Sequence, residues 1–534
     1  MGPEGSLLPL AAVTVPIVTA VAIVVARRVP NLRDALLVVG AVATFGVVAS
    51  MVPAVLAGRV PTSPLGALIP GIELSLRADG FGMVFGLLAS FLWVLAAFYA
   101  IGYMRGLDAS NQTRFYAFYS LCLATAFGVA FAGDLFTFFL FYELLTVTTY
   151  PLVTHKGNAE AVAAGRRYLG YLLGGGVLVL LALAIVYQGV GDLTFQPGGF
   201  VGDALGPALT AAVFVLLAVG FGTKAGIMPL HAWLPAAMVA PTPVSALLHA
   251  VAVVKAGVFA FGRLVGFVVG PGVLAGMVSA TGLAVFAGAT IVVASVVALR
   301  QDHLKRRLAY STIAHLAYIV LGFALLSATA VEGAMLHIVN HGVLKITLFF
   351  CAGAIHVHLH LDHVSELDGV GRRMPITMGA FALASLGLAG LPPMGGFVSK
   401  WHLVLGAFDA DAVLFAGVMA GAGLLTAGYL FPIVYRAFFR APAEPDAGGP
   451  AEAAQPAHAP ASPGDAEGTA PVAAATAAPE AADAPARGWR DASPLMVVPL
   501  AVTAVTGLVL GLGDPTGVYE IAARVAVAVT GGGP

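Results

Sequence analysis

Charge is what this sequence has least of. Of 534 residues only 10% are Asp, Glu, Lys or Arg, while 59% are hydrophobic and the mean hydropathy is +0.94. Soluble domains carry roughly a quarter charged residues, so most of the chain must sit in lipid. The formal net charge of −1 leaves no basic patch for nucleic acid. Cysteine is scarce as well. Cys122 and Cys351 both lie inside apolar runs, without CxxC or metal-ligand spacing, and read as buried small residues. With no cysteine cluster and no nucleotide loop in the chain, any redox chemistry would belong to partners.

What is abundant is apolar sequence. Runs of roughly 20 residues, enough to cross a ~30 Å hydrocarbon core, recur along nearly the whole length. Only helices or closed barrels can span a bilayer, and runs this long and continuous mean helices. Length and apolarity predict about fourteen spans, at 7–26, 34–57, 80–104, 114–132, 135–154, 167–188, 207–238, 243–268, 271–299, 308–327, 332–355, 375–405, 410–438 and 493–513. The N-terminal stretch lacks a basic leader and its apolar run is too long for a signal peptide, so it is expected to be the first span.

Basic residues collect in the odd-numbered loops: Arg27, Arg28 and Arg33; Arg105 and Arg114; Lys156, Arg166 and Arg167; Arg300, Lys305, Arg306 and Arg307; Arg372 and Arg373; Arg440, Arg487 and Arg490. The even loops hold little beyond Arg59 and Arg77. By the positive-inside rule the odd loops are cytoplasmic, and an even number of spans puts both termini outside a cell membrane. Residues 441–490, rich in Ala, Pro, Gly and acid, are expected to form a disordered cytoplasmic tether. In the tail, VYEIAARVAVAV is expected to lie flat as a short interfacial helix.

The seventh and twelfth spans are longer than a crossing requires, and each is interrupted, by IMPLHAWLP and by GLAGLPPMGGFVSKW. Pro229 lacks an amide hydrogen and clashes with the carbonyl of Ala225, so it opens the helix one turn after Lys224. Irregular backbone at membrane depth is tolerated only where protein or water lines it. Five spans separate the two breaks, so a five-helix repeat would be inverted across the membrane, as in transporters. The expected organisation is an N-terminal three-helix segment (1–113), two repeats (114–268 and 269–440), the loop (441–490), and a final span with its tail (491–534).

The lysines carry the most information. Of 26 basic residues only six are lysines, and four of those, Lys224, Lys255, Lys345 and Lys400, fall within predicted spans, whereas nearly every arginine lies in a loop or at a span end. A charge at mid-bilayer costs roughly 2.5–3.5 kcal/mol even on a lenient insertion scale. Snorkelling relieves single residues near span ends but does not easily cover four. A guanidinium never gives up its proton in a protein, whereas a buried ammonium can. Lysines inside and arginines outside therefore suggest a proton path.

Glu143 is the one carboxylate well inside a span, and a buried acid needs a partner such as these lysines. In the eleventh span His337, His341 and Lys345 follow at i+4 steps, so one helix face carries three groups able to pass a proton. His249 and Lys255 share the eighth span but, six apart, do not face the same way. His315, near Tyr318, reads equally as a satisfied polar core residue. His356, His358, His360, Asp362 and His363 invite a metal reading, but their spacing matches no established site and the run lies where a span emerges at the cytoplasmic face.

The stretch GFGTKAGIMPLHAWLPAAMVAPTPVSALLHAVAVVKAGVF resembles the signature region of the antiporter-like proton-channel subunits. That family includes large membrane-arm subunits of respiratory complex I, subunits of membrane-bound hydrogenases and the Mrp-type cation/proton antiporters. FLFYELLTVTTYPLV, RRLAYSTIAHLAYI, HIVNHGVLKITLFFCAGAI and GLPPMGGFVSKW are similar to its other motifs, over roughly 110–405. The resemblance implies an all-α polytopic fold of about fourteen helices, two inverted five-helix repeats and broken seventh and twelfth helices. It implies that Glu143 pairs with Lys224, that Lys255 with His249 bridges the halves, that His337, His341 and Lys345 continue the axis, and that Lys400 is the terminal exchange site. A lysine at 400 argues against the complex I subunit that ends in an acid. The short tail after the last span lacks the lateral helix of the largest complex I subunit, and the acidic loop is not part of the family pattern. The implied role is a D-type subunit of an Mrp antiporter, acting without a cofactor, alongside other membrane proteins of the assembly and exchanging protons for Na+ or K+. A redox-coupled complex I-like or hydrogenase-like assembly is the alternative. A membrane anchor for a soluble partner, such as an inorganic-carbon uptake module, is the reading from another class.

Overall fold

A computed structural model describes residues 2–69, 72–441 and 491–531. Beyond Ala441, the tether expected at 441–490 lies outside the described residues up to Arg490. Strand β1 (Gly2–Gly5) leads into α1 (Leu8–Val25), α2 (Pro30–Ser50), α3 (Val52–Leu56), β2 (Arg59–Ile69) and β3 (Ile72–Arg77). Then come α4 (Gly80–Gly106), α5 (Gln112–Phe131), α6 (Leu135–Val153), α7 (Ala159–Val190), α8 (Gly202–Ala225), α9 (Trp233–Ala236), α10 (Thr242–Ala250) and α11 (Val253–Arg263). The remainder is α12 (Pro271–Leu274), α13 (Val278–Leu299), α14 (Leu304–Ala324), α15 (Ala328–Leu359), α16 (Val370–Arg373), α17 (Pro375–Ala389), α18 (Gly395–Asp409), α19 (Val413–Phe439), α20 (Pro494–Leu512) and α21 (Val518–Thr530).

Among the described residues 13 helical segments are long and apolar enough to cross a membrane. The twelfth predicted span is the exception, because it is built from two half-helices, α17 and α18. Short polar residues between the apolar runs become helix caps. Asp79, Asp134, Asn158 and Ser327 accept from the amides of Gly82, Thr137, Ala161 and Ala330 at the starts of α4, α6, α7 and α15. Helices α10, α11, α14 and α15 form the buried centre. The outer helices present large apolar side chains outward, among them Val177, Val278 and Leu424. In lipid that surface is at home.

Three interruptions shape the centre. Helix α8 ends at Ala225, Gly226 takes a left-handed C-cap (φ 69°), and the Trp233 indole donates to the freed carbonyl of Thr223 at 2.7 Å. Helix α17 ends the same way at Gly390 (φ 89°). The third break divides the eighth span at Val251–Ala252, where both amides donate to the Leu247 carbonyl. No proline or glycine marks that position. The same span closes in a π-helix, Leu264–Val269.

One element was not foreseen and one expectation is corrected. The loop after the second span supplies β2 and β3, which with β1 from the N-terminal residues form a three-stranded sheet in the order β1-β2-β3, with β1 parallel and β3 antiparallel to β2. The tail helix α21 does not present its apolar stripe to a membrane surface: Val518, Ile521, Ala522, Val525, Ala526 and Val529 are buried, against α4, α15 and the π-helical segment. Gly80 and Gly266 make room there, since a Cβ on either would fall 2.6–2.7 Å from Val525 or Val529.

Candidate functional site

At the first break, Lys224 sits in the last turn of α8 with its side chain fully buried. Its Nζ lies 3.4 Å from Glu143 Oε1 on α6, donates to the Tyr142 carbonyl, and stands 3.3 Å from the centre of the Tyr142 ring. Glu143 is only partly buried. Gly176 on α7 passes directly beneath it, where a Cβ would fall 2.6 Å from the carboxyl carbon. Gly257 on α11 plays the same part for the helix end, because a Cβ there would meet the Ala225 amide nitrogen at 2.3 Å.

Lys255, on the second half of the divided eighth span, reaches across to α15. Its Nζ lies 2.8 Å from His341 Nδ1. The His341 ring stacks on that of His315 from α14 at 5.4 Å, and His315 Nδ1 lies 3.1 Å from His337 Nε2. His337 Nδ1 in turn meets Ser399 Oγ at 2.8 Å, on the helix that carries Lys400. All three imidazoles are fully buried, and His341 Nε2 and His315 Nε2 have no protein partner. Tyr318 packs against the His315 and His337 rings, and the Lys400 ammonium lies 5.0 Å over the Tyr318 ring. Lys400 donates to the Leu388 carbonyl at 2.6 Å, at the C-terminal end of α17. There the helix dipole and the unsatisfied carbonyls favour a cation.

Not every expected neighbour meets. Lys345 shares a helix face with His337 and His341 but turns to Ser311 Oγ, at 2.7 Å, which also accepts from the Tyr429 hydroxyl at 2.9 Å. His249 does not pair with Lys255: the break at Val251–Ala252 separates them, and the His249 ring lies 4.6 Å from Phe349 with both nitrogens unpartnered. The reading of sequence missed Ser311, Ser399 and Tyr429 and left His315 undecided. A signal existed in α14, where Ser311, His315 and Tyr318 recur at i, i+4 and i+7 within an apolar run. Arg263 was also missed. It is a fully buried arginine in α11, bound through both terminal nitrogens to Asp79 at 2.6 and 3.0 Å.

The histidine-rich run lies beside the basic loop before α14. His356 Nδ1 pairs with Asp362 at 3.0 Å, His363 Nδ1 approaches Asp302 at 3.5 Å, and His303 and His363 form an isolated bridge. The His360 ring lies edge-on to that of His356, centres 6.4 Å apart. The run thus ties the end of α15 to the start of α14.

Residues 132–426, which hold every lysine, histidine and carboxylate of this axis, match the NADH:quinone oxidoreductase/Mrp antiporter transmembrane family. The NADH-quinone oxidoreductase subunit N of Desulforudis audaxviator is 36% identical over 384 residues, 71% of this chain and 75% of its own length. A probable K+/H+ antiporter protein of Rhizobium meliloti is 34% identical over 70% of this chain, which spans only 37% of that longer protein. In three dimensions a chain of the Mrp complex from a Dietzia species superposes with a TM-score of 0.82, covering 98% of this chain and 97% of its own at 24% identity, a likeness of fold. By family match and by identity across most of its length, this chain belongs to the NADH:quinone oxidoreductase/Mrp antiporter transmembrane family.

Proposed function

We propose that this chain is a proton-translocating membrane subunit of a multi-subunit Mrp-type cation/proton antiporter. Protons would move along Glu143, Lys224, His249, Lys255, His341, His337, Lys345 and Lys400. The observation that carries the reading is the burial of four lysines, each against a group that can exchange or stabilise its proton. Lys224 has Glu143, Lys255 has His341, Lys345 has the Ser311 hydroxyl, and Lys400 has the carbonyls that end α17. An uncompensated charge at this depth is expensive, whereas a lysine that passes its proton on need not stay charged.

The chemistry follows from the contacts. A proton on Lys255 Nζ passes to His341 Nδ1, and the imidazole releases one from Nε2. The unpartnered Nε2 atoms of His341 and His315 lie on stacked neighbouring rings, and buried nitrogens of this kind are ordinarily satisfied by ordered water. Through such a water the proton reaches His315, then His337, and finally the Ser399 hydroxyl beside Lys400. His315 therefore joins the path in this reading. Glu143 stabilises the charged form of Lys224 and so sets when that lysine loads.

The two breaks, five spans apart, support the inverted-repeat organisation with halves at 114–268 and 269–440. The basic odd loops support a cytoplasmic face at residues 300–307 and 356–373, in a cell membrane with both termini outside. A second reading, in which the same path serves a redox-driven assembly, is favoured by the 36% identity to a quinone oxidoreductase subunit.

The test uses the complete complex purified from membranes and reconstituted in vesicles. Lys224→Ala and Glu143→Ala should each abolish proton-coupled transport while the complex still assembles. Normal transport by assembled Lys224→Ala would sink the proton path. Identification of the co-purifying proteins separates the two readings: small antiporter subunits favour the first, iron–sulfur or nickel-site subunits the second.

A further inference from the structure

Arg263 breaks the rule that this chain otherwise follows. Its arginines stay at loops and span ends, yet this one lies within the eighth span with 1% of its side chain exposed. It stands on the same helix as Lys255, eight residues on, with Phe259 between them at i+4 steps. Phe259 stacks on Phe81 of α4, ring centres 4.3 Å apart and nearly parallel. The guanidinium is boxed by Phe81, Phe195, Phe259 and Phe267, all within 4.6–5.3 Å of its central carbon. Beyond it lies Asp79, 22% exposed, which lines a cavity of about 290 Å³ together with Arg77 and Phe195. From the axis outward the order is Lys255, a phenylalanine stack, a fixed cation, a carboxylate and a cavity. That cavity lies beside β2, β3 and α21, at the end of α4 opposite Arg105.

A buried ion pair is weak as a source of stability, since apolar residues of similar volume often do as well. What an arginine supplies here, and a lysine could not, is a charge that never leaves. Fixed arginines at constrictions are one way a pore excludes protons and cations. We propose that Arg263, held by Asp79 and boxed by four phenylalanines, is the electrostatic seal that closes the Lys255 end of the axis against that cavity. The inference rests on the proton-path reading. It assigns Arg263 a positioning role in which it accepts and donates no proton.

The guanidinium alone, about 12 Å along the helix at an effective dielectric near 20, would change the occupancy of an excess proton by roughly tenfold, and the Asp79 carboxylate a few ångströms farther out offsets most of that, leaving about a twofold net effect. The experiment replaces the pair by apolar residues of similar size, Arg263→Met with Asp79→Leu, in the reconstituted complex. Passive proton influx after a pH jump is followed with a trapped dye. The leak should rise by about twofold, and adding Lys255→Ala should return it to the wild-type level. An assembled double variant that stays tight, while Lys224→Ala still abolishes coupled transport, overturns the seal and leaves the path standing. A leak that persists without Lys255 shows that the opened route is not this axis, and overturns the seal on it. Should the double variant not assemble, Arg263→Lys keeps a partner for Asp79 but makes the charge titratable. Its leak should then grow as pH rises, and a leak equal to wild type at every pH would refute the role.

Discussion

Lys255 on α11 and His341 on α15 meet at 2.8 Å, and this contact joins the first half of the chain to the second. The break at Val251–Ala252 separates the helix half that carries His249 from the half that carries Lys255. A proton arriving on the lysine thus has one direct receiver, an imidazole whose far nitrogen opens toward His315.

His341→Ala removes that receiver. Transport in reconstituted vesicles should slow by about a hundredfold, the low side of what a positioned acid–base group contributes. His315→Ala should slow it comparably, because its ring bridges His341 and His337. An unchanged rate in either assembled variant would remove that residue from the path.

Gly176→Ala tests the first pair without touching either member. The added methyl would fall 2.6 Å from the Glu143 carboxyl carbon, and it is the flexible side chain that can give way. The carboxylate should leave Lys224, and transport should fall while assembly and thermal stability stay near wild type. Gly257→Ala contrasts with it, because its methyl would strike the backbone at Ala225. Overpacking of that kind typically costs about 1–3 kcal/mol, so this variant should lose thermal stability as well as transport.

Ser399→Ala should reduce transport but not abolish it, whereas Lys400→Ala should abolish it. The serine only links His337 to the helix of Lys400, while the lysine carries the charge at the end of the axis. Equal effects would mean that the His337–Ser399 contact is itself the obligatory exit.

The latch between the end of α15 and the start of α14 should depend on pH in a defined window. The Asp362 carboxyl is held below the ordinary carboxylate range, chiefly by its hydrogen bond from His356, which outweighs partial burial. For Asp302 burial works upward, but the Ser365 hydroxyl and amide, with His363 and Arg307, outweigh it and the net shift is downward. A depressed carboxylate contributes stability that is fully present above its unfolded value, near 3.9, and is lost as pH falls through the lower folded value. Hydrogen exchange at the Leu304 and Val364 amides, which bond to the Asp362 and Asp302 carbonyls, should therefore stay protected at neutral pH. Protection should fail only below the ordinary carboxylate range. Loss of protection already near neutrality would show that the carboxylates do not hold the latch.

Several features were legible in one dimension because each follows from local physics. Apolar run length sets the spans, Pro229 and the Pro392–Pro393 pair open backbone that glycines then cap, and the cost of a buried charge makes each intramembrane lysine conspicuous wherever it lies. The i+4 spacing likewise put His337 and His341 on one face. That spacing could not say which helix the face would meet. Lys345, on the same stripe, turned instead to Ser311 because α14 offered a hydroxyl there, and His315 was drawn between the two histidines by the packing of α14 on α15. The break between His249 and Lys255 carries no proline or glycine, so only the surrounding helices impose it. Arg263 looked like an arginine near a span end until α4 brought Asp79 and Phe81 to it. The sequence by itself determined where the long apolar helices lie and which residues are too costly to leave uncompensated. Only the tertiary structure decided who compensates them, because pairing between helices depends on their relative rotation, which no single helix encodes.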